Sequence, residues 1–230
     1  MVAALVFGIQ AEGFAFGKKV KKTANFKVRI ENISNSDGLM ANDGSKYPFA
    51  ISPGVFVLTQ KGNDFFSVGK KASDGVEAQA EDGNPEVLSK KLLTKIGSVN
   101  MGIFNTPFGG NMPAPAFPGG AFEFTFRATE GTKLNFLTMF GQSNDLFYAP
   151  SEAFDLFPNG EALNGDITDK FELWDAGTEV NQAPGLGADQ APRQKGPNTG
   201  AAENGVVQLV KDGFVYPNTK DVLRITISVQ

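Results

Sequence analysis

Residues 121–129 read A-F-E-F-T-F-R-A-T, so Phe122, Phe124 and Phe126 share one face of an extended chain while Glu123, Thr125 and Arg127 share the other. Side chains alternate across a strand with a period of two, and three bulky rings in that register require a sheet with one buried face. The same alternation recurs along the chain. Phe26, Val28 and Ile30 alternate with Lys27, Arg29 and Glu31, and Leu223, Ile225, Ile227 and Val229 alternate with Arg224, Thr226 and Ser228. Leu134, Phe136, Thr138 and Phe140 share a face of the run after Glu130-Gly131, which reads as a hairpin turn. Pro53-Gly54 opens a further run, Val55 to Thr59, and Ile167 to Trp174 and Val206 to Val210 are weaker strands.

One segment carries a helical pattern instead. Asn84 is suited to cap, Pro85 to the first helical position and Glu86 to the positive end of the dipole. Leu88, Leu92 and Ile96 follow on one face with Leu93 beside them, and Gly97 ends the helix. The expectation is an all-β chain: an antiparallel β-sandwich with one short helix in a crossover. With 230 residues, a single domain over residues 24–230 can bury roughly 70% of its unfolded surface. The use of 21 Phe against 3 Tyr and 1 Trp agrees with a strand-rich core.

Residues 1–17 are read as a signal peptide. Val2 to Ile9 is an apolar run of the right length, Ala11 and Ala15 offer small residues for cleavage, and polar sequence resumes at Lys18. The alternative is an N-terminal strand, since a basic start is missing and Glu12 interrupts. No other stretch reaches the ~18 apolar residues of a transmembrane segment. The expected location is therefore secreted, periplasmic or at the cell surface. Phe104 to Gly120 is rich in Gly and Pro, and Val180 to Gly205 has no periodicity, so each is a functional or mobile loop.

The composition removes several chemistries. There is no Cys and no His, which excludes disulfides, thiolate nucleophiles, Ser-His-Asp triads and zinc or haem held by those residues. A metal must be held by oxygen, as calcium and magnesium are. Net charge is −4, and the basic run Lys18, Lys19, Lys21 and Lys22 has no interleaved aromatics, so nucleic acid is not an expected partner.

The acids of interest are Asp145, Asp175 and Glu179. Asp145 lies just past the strand ending at Phe140, Asp175 directly follows Trp174, and Glu179 closes D-A-G-T-E. If the two strands run in the same direction, both exits open at one end and the carboxylates converge, as a calcium ion requires. Gly177 would let the turn fold tightly. The alternative is that these are plain turn residues, as Asp37, Asp43, Asp74, Asp82 and Asp166 beside or near glycines are taken to be.

Five segments together resemble the spondin N-terminal domain family, whose members are F-spondin- and mindin-like or secreted bacterial proteins. They are F-K-V-R-I-E-N-I-S from Phe26, P-G-V-F-V-L-T from Pro53, G-K-K-A-S-D-G-V-E-A-Q-A-E-D-G-N-P from Gly69, L-T-M-F-G-Q-S-N-D-L-F from Leu137 and L-W-D-A-G-T-E from Leu173. The resemblance implies a sandwich similar to the calcium-dependent lipid-binding sandwiches, with calcium in loops at one end and Asp145, Asp175 and Glu179 as its ligands. Glu179 stands where animal members tend to carry Asp. It further implies a secreted, non-catalytic module for adhesion or ligand binding, with an extracellular glycan or a matrix or surface protein as partner. The competing functions are a glycosidase working through paired carboxylates and a purely structural surface or matrix component.

Overall fold

A computed structural model describes residues 20–97 and 100–230. The expectation of a signal peptide over residues 1–17 lies outside them. The strands are β1 (Thr23–Asn32), β2 (Leu39–Met40), β3 (Lys46–Tyr47) and β4 (Ile51–Thr59), followed by the helices α1 (Asp74–Asp82) and α2 (Pro85–Ile96). Then come β5 (Met101–Phe104), β6 (Ala121–Thr129), β7 (Lys133–Phe140), β8 (Leu146–Ala149), β9 (Phe154–Asp155) and β10 (Gly165–Asp166). The chain closes with β11 (Glu172–Asp175), β12 (Gln208–Leu209), α3 (Thr219–Val222) and β13 (Leu223–Val229).

The pairing is antiparallel throughout and builds the expected sandwich. One sheet has the order β10-β13-β1-β6, the other β12-β11-β8-β7-β4-β5 with β9 on β7. In the first sheet the alternating runs align in rows: Val28 lies between Phe124 and Ile227, and Ile30 between Phe122 and Ile225. Those faces meet Phe56, Phe136, Phe140 and Tyr148 of the second sheet in one buried core. Each fully buried Phe in it contributes about 1.5–3 kcal/mol. On the opposite, wet face of β1, Arg29 bridges Glu31 at 3.2 Å and Glu123 at 2.8 Å, and Arg224 reaches Glu31 at 2.7 Å.

The Glu130-Gly131 turn does not make a hairpin. It is tight, with Thr132 N–H donating to the Thr129 carbonyl and Gly131 at φ 92°, but β6 pairs with β1 while β7 pairs with β4. The turn thus carries the chain from one sheet to the other. Its flanking phenylalanines face each other across the core, Phe124 and Phe136 edge to face at 5.6 Å, instead of lying side by side.

The crossover between β4 and β5 holds two helices where one was expected. The α2 helix has the caps read from sequence: Asn84 accepts from the Glu86 N–H and the Gly97 N–H reaches the Leu93 carbonyl. Leu88 and Leu92 are buried, while Leu93 is exposed. Before it, α1 is capped by Ser73, which accepts from Val76 N–H, and ends at Gly83 in the left-handed region. Its apolar face is small, Val76 and Ala80, so hydrophobic periodicity does not announce it. Both helices pack on the outer face of the second sheet, against Val55, Val57, Leu137, Phe147 and Trp174. That is why β7 is buried on both faces beyond Lys133 instead of alternating.

The 180–205 segment has no regular structure of its own, yet it is fastened to its neighbours. Gln194 donates to Asp82 at 2.8 Å and Asn198 to Glu77 at 3.1 Å on α1, and Arg193 donates to Gln142 at 3.0 Å. Among the described residues no helix is long and apolar enough to cross a membrane.

Candidate metal centre

Strands β7 and β11 are both antiparallel to β8 and therefore run in the same direction, so their exits open at one end of the sandwich. Asp145 stands in the turn from β7 to β8. Ser143 fixes that turn, its hydroxyl donating to the Phe140 carbonyl at 2.7 Å and accepting the Leu146 N–H at 3.1 Å. Asp175 is the last residue of β11, with its neighbours in the turn Ala176–Glu179. Gly177 has φ +67°, and a Cβ there would stand 2.5 Å from the Val206 nitrogen, so only glycine fits.

The two loops are stitched together by Asp145. Its Oδ2 accepts the Thr178 N–H at 2.7 Å, the Thr178 hydroxyl at 3.1 Å and the Glu179 N–H at 3.1 Å. Its Oδ1 is buried and has no partner. Asp175 Oδ1 accepts the Gly177 N–H at 2.6 Å, and Oδ2 accepts the Asn181 amide at 2.8 Å.

The chain returns to this turn after residue 200. Val180 N–H donates to the Ala201 carbonyl, Glu203 N–H to Thr178 and Gly205 N–H to Gly177, at 2.7, 3.0 and 2.7 Å. This short ladder lays Glu203 beside the two aspartates. One carboxylate oxygen from each of Asp145, Asp175 and Glu203 lies within 4.8 Å of the others.

The structure therefore brings together Asp145 and Asp175, and adds Glu203. Glu179 is also buried and is tied to Asp145 through its backbone N–H, but its carboxylate is turned to the neighbouring loops, Oε1 accepting the Gly200 N–H at 2.5 Å and Oε2 the Asn144 amide at 2.9 Å, and it is not one of the three that share the 4.8 Å group. Sequence reasoning passed over Glu203 because it lies in the aperiodic stretch. Its one local signal was the acid in A-A-E-N-G, which looks like any loop carboxylate.

The crowding is electrostatically unfavourable for a metal-free site. Burial pushes Asp175 up to about 7, with the neighbouring Asp145 charge adding to it. Asp145 is raised mainly by burial, against the three donors on Oδ2. Glu203 is raised by burial and then by Asp145. Glu81, on α1 behind Thr178, is pushed by burial up to about 7. A divalent cation among the Asp145, Asp175 and Glu203 oxygens would favour their ionised forms and offset the repulsion between them. The donor set fits a hard cation: all-oxygen, anionic, with an unsatisfied buried oxygen in it. Next to the site loop a larger, apolar cavity of about 550 Å³ is lined by Pro48, Pro53, Phe117 and Met139. Its Asp82 carboxylate accepts from Gln194.

Compared with known proteins, the chain matches no family model and no curated protein.

Proposed function

We propose that this chain is a secreted or cell-surface β-sandwich module that binds calcium at one end and serves adhesion or ligand binding without catalysis, like the spondin N-terminal domain it resembles. One observation carries the reading: the Asp145 Oδ1, buried and without a partner, within the 4.8 Å cluster formed with Asp175 and Glu203. A buried oxygen left unsatisfied costs roughly 1–3 kcal/mol, more when charged, and a bound cation removes that cost. Asp145, Asp175 and Glu203 would hold the ion, and Glu179 would brace the loops around it. Calcium is favoured over magnesium because the carboxylates come from a strand end, Asp175, and two separate loops, Asp145 and Glu203, which suits its flexible coordination better than a strict octahedron.

The glycosidase alternative is the weaker one. Asp145 has no exposed surface, so a substrate cannot reach its carboxylate.

Thermal unfolding in calcium and in chelator tests the proposal. A ligand that binds only the folded state raises stability by RT ln(1 + [L]/Kd), so calcium should raise the midpoint in proportion to log concentration at saturation. Identical midpoints in calcium and chelator would reject the metal reading.

A further inference from the structure

The sheet β10-β13-β1-β6 has two edges, and they are finished differently. On one side β10 pairs with β13, the Ile167 N–H donates to the Ile225 carbonyl at 2.8 Å and the Thr168 hydroxyl takes the Ile225 N–H at 2.8 Å. On the other side β6 has no strand partner beyond β1 among the described residues, and its register with β1 is unbroken from Thr23↔Thr129 to Glu31↔Ala121. Bonds at the two ends of β6 show which way its backbone groups point. The Glu130 N–H donates to the Lys22 carbonyl and the Asn32 N–H to the Gly120 carbonyl, so the even-numbered residues face β1. The Ala121 carbonyl points the other way and accepts the Phe108 N–H at 2.7 Å. The N–H and C=O groups of Glu123, Thr125 and Arg127 therefore point out from the free edge, and among the described residues no hydrogen bond reaches them. Proline or a bulge commonly guards such an edge. The run A-F-E-F-T-F-R-A-T contains no proline and its pairing no bulge.

We propose that the free edge of β6 pairs with β6 of a second copy of this chain, antiparallel and centred on Thr125, so that two four-stranded sheets become one. The occupant and the register follow from charge. A two-fold interface presents the same patch twice, so each residue must suit the one equidistant on the other side of the centre. About Thr125, Glu123 falls opposite the partner's Arg127, and Arg127 opposite the partner's Glu123. Arg127 is exposed and has no ion pair among the described residues, while Glu123 is already met by Arg29 at 2.8 Å and Lys27 at 3.5 Å across the same wet face. On the inner face Phe124 falls opposite the partner's Phe126, a ring that is half-buried in the single chain. Opposite charges and aromatic pairs directly across an antiparallel ladder are both favourable.

The neighbouring registers fail on the same count. Centred on Arg127, two arginines face each other. Centred on Glu123, two glutamates do, and the Phe108 segment already occupies the edge at Ala121. Like charges directly opposite are destabilising. In the Thr125 register, Thr125 with its copy and Glu123 with the partner's Arg127 are pairs of the hydrogen-bonded kind, each exchanging two N–H···O bonds. The stretch Glu123–Arg127 makes a small interface beside the ~1,200 Å² at which stable complexes begin, so the dimer is weak and concentration-dependent.

The test is sedimentation velocity of the full chain from about 1 μM to 1 mM, in chelator so that the result does not depend on the metal reading. A monomer–dimer equilibrium is expected. Thr125→Pro removes an outward donor and leaves the bonds to β1 in place, so it should give monomer throughout, with the thermal midpoint of the dilute protein near the parent's. Arg127→Glu sets like charges opposite each other twice and should raise the dissociation constant about tenfold. The chain has no cysteine, so Thr125→Cys brings a single thiol opposite its own copy, at a Cα separation of ~5.5 Å that a disulfide can span. Mild oxidation should link that variant far faster than Ser36→Cys, at an exposed position elsewhere. A parent that stays monomeric across the range overturns the proposal and leaves Glu123 and Arg127 as charges that guard the edge. A dimer that Thr125→Pro leaves intact, or Thr125→Cys linking no faster than Ser36→Cys, overturns it as well. Should Thr125→Pro fail to fold, the two cysteine variants decide the matter, since both positions are exposed.

Discussion

Asn144 donates its side-chain amide to the Glu179 carboxylate at 2.9 Å, while the next residue, Asp145, receives the Glu179 backbone N–H at 3.1 Å. The β7–β8 turn and the turn after β11 are therefore closed on each other by protein bonds alone. Glu179 acts there as a brace, and the neighbouring Glu203 completes the carboxylate cluster. The two glutamates can be told apart.

Glu179→Gln should lower stability by about 1–2 kcal/mol, because an amide replaces a charged acceptor shared by two donors. The loss should be similar in calcium and in chelator. Glu203→Gln should leave the chelated protein nearly unchanged and cut the calcium-induced shift. Urea unfolding of both variants in the two conditions is the measurement; a reversed pattern would restore Glu179 as the ligand.

Asp175→Asn should abolish most of the calcium response. In chelator the same variant should gain on the parent as pH rises above about 7, where Asp175 is ionised, by roughly 2–4 °C per kcal/mol of relieved repulsion in a chain of this size, offset by the acceptor it loses for the Gly177 N–H or the Asn181 amide. The relief follows from removing a buried carboxylate that faces Asp145. A variant that keeps the parental calcium shift would remove Asp175 from the site.

The chelated protein should lose stability as pH rises. Folding raises Asp175 from 3.8 to about 7 and Glu81 from 4.5 to about 7, burial being the leading cause for both. A group with a raised folded pKa holds its proton more tightly in the native state. Its contribution is complete below the unfolded value, near pH 4, and is lost as pH climbs through about 7. Calcium competes with those protons, so the increment it adds should grow over the same interval. Midpoints recorded across that range in chelator and in calcium decide the matter, and a chelated midpoint that climbs steadily with pH is the contrary result.

Gly177→Ala should be among the most damaging single substitutions in the loops. The added Cβ would stand 2.5 Å from the Val206 nitrogen and 2.7 Å from its carbonyl oxygen, at a backbone φ of +67°. Strain of that kind costs of order 1–3 kcal/mol, and displacing Val206 disturbs the ladder that carries Glu203. Both the unfolding free energy and the calcium shift should fall. Parental values for both would show that the turn relaxes freely.

Trypsin should cut after Arg193 slowly, and at similar rates with and without calcium. Arg193 and Gln194 are held to Gln142 and Asp82, contacts that do not pass through the carboxylate cluster. Asp82→Ala, which removes the Gln194 acceptor, should speed cleavage in both conditions. Strong calcium protection of the parent at Arg193 would mean that the segment is fastened by the metal instead.

The strands β1, β6 and β13 were readable from the chain alone because alternation is a local property, whereas β8, buried on both faces, was not, and the expected strand from Ile167 to Trp174 begins only at Glu172, after a 3-10 turn at Thr168–Lys170. Phe122, Phe124 and Phe126 need one buried face wherever the strand is placed, and Asn84-Pro85 starts a helix in any setting. The same locality exposed Asp145 and Asp175, each within a few residues of the end of a recognisable strand. Partners are not local. Whether β6 turns back on itself or crosses to the other sheet is a matter of tertiary pairing: β6 pairs with β1 and β7 with β4, so Phe124 and Phe136 meet across the core. The α1 helix, with little apolar face, took its place from the outer side of a sheet already buried on its other face. Glu203 entered the cluster only through the backbone ladder between residues 177–180 and 201–205, and the Glu179 carboxylate is turned aside to Asn144 and Gly200. Sequence determines which carboxylates leave a strand at a loop; the packing of the loops determines which of them come together.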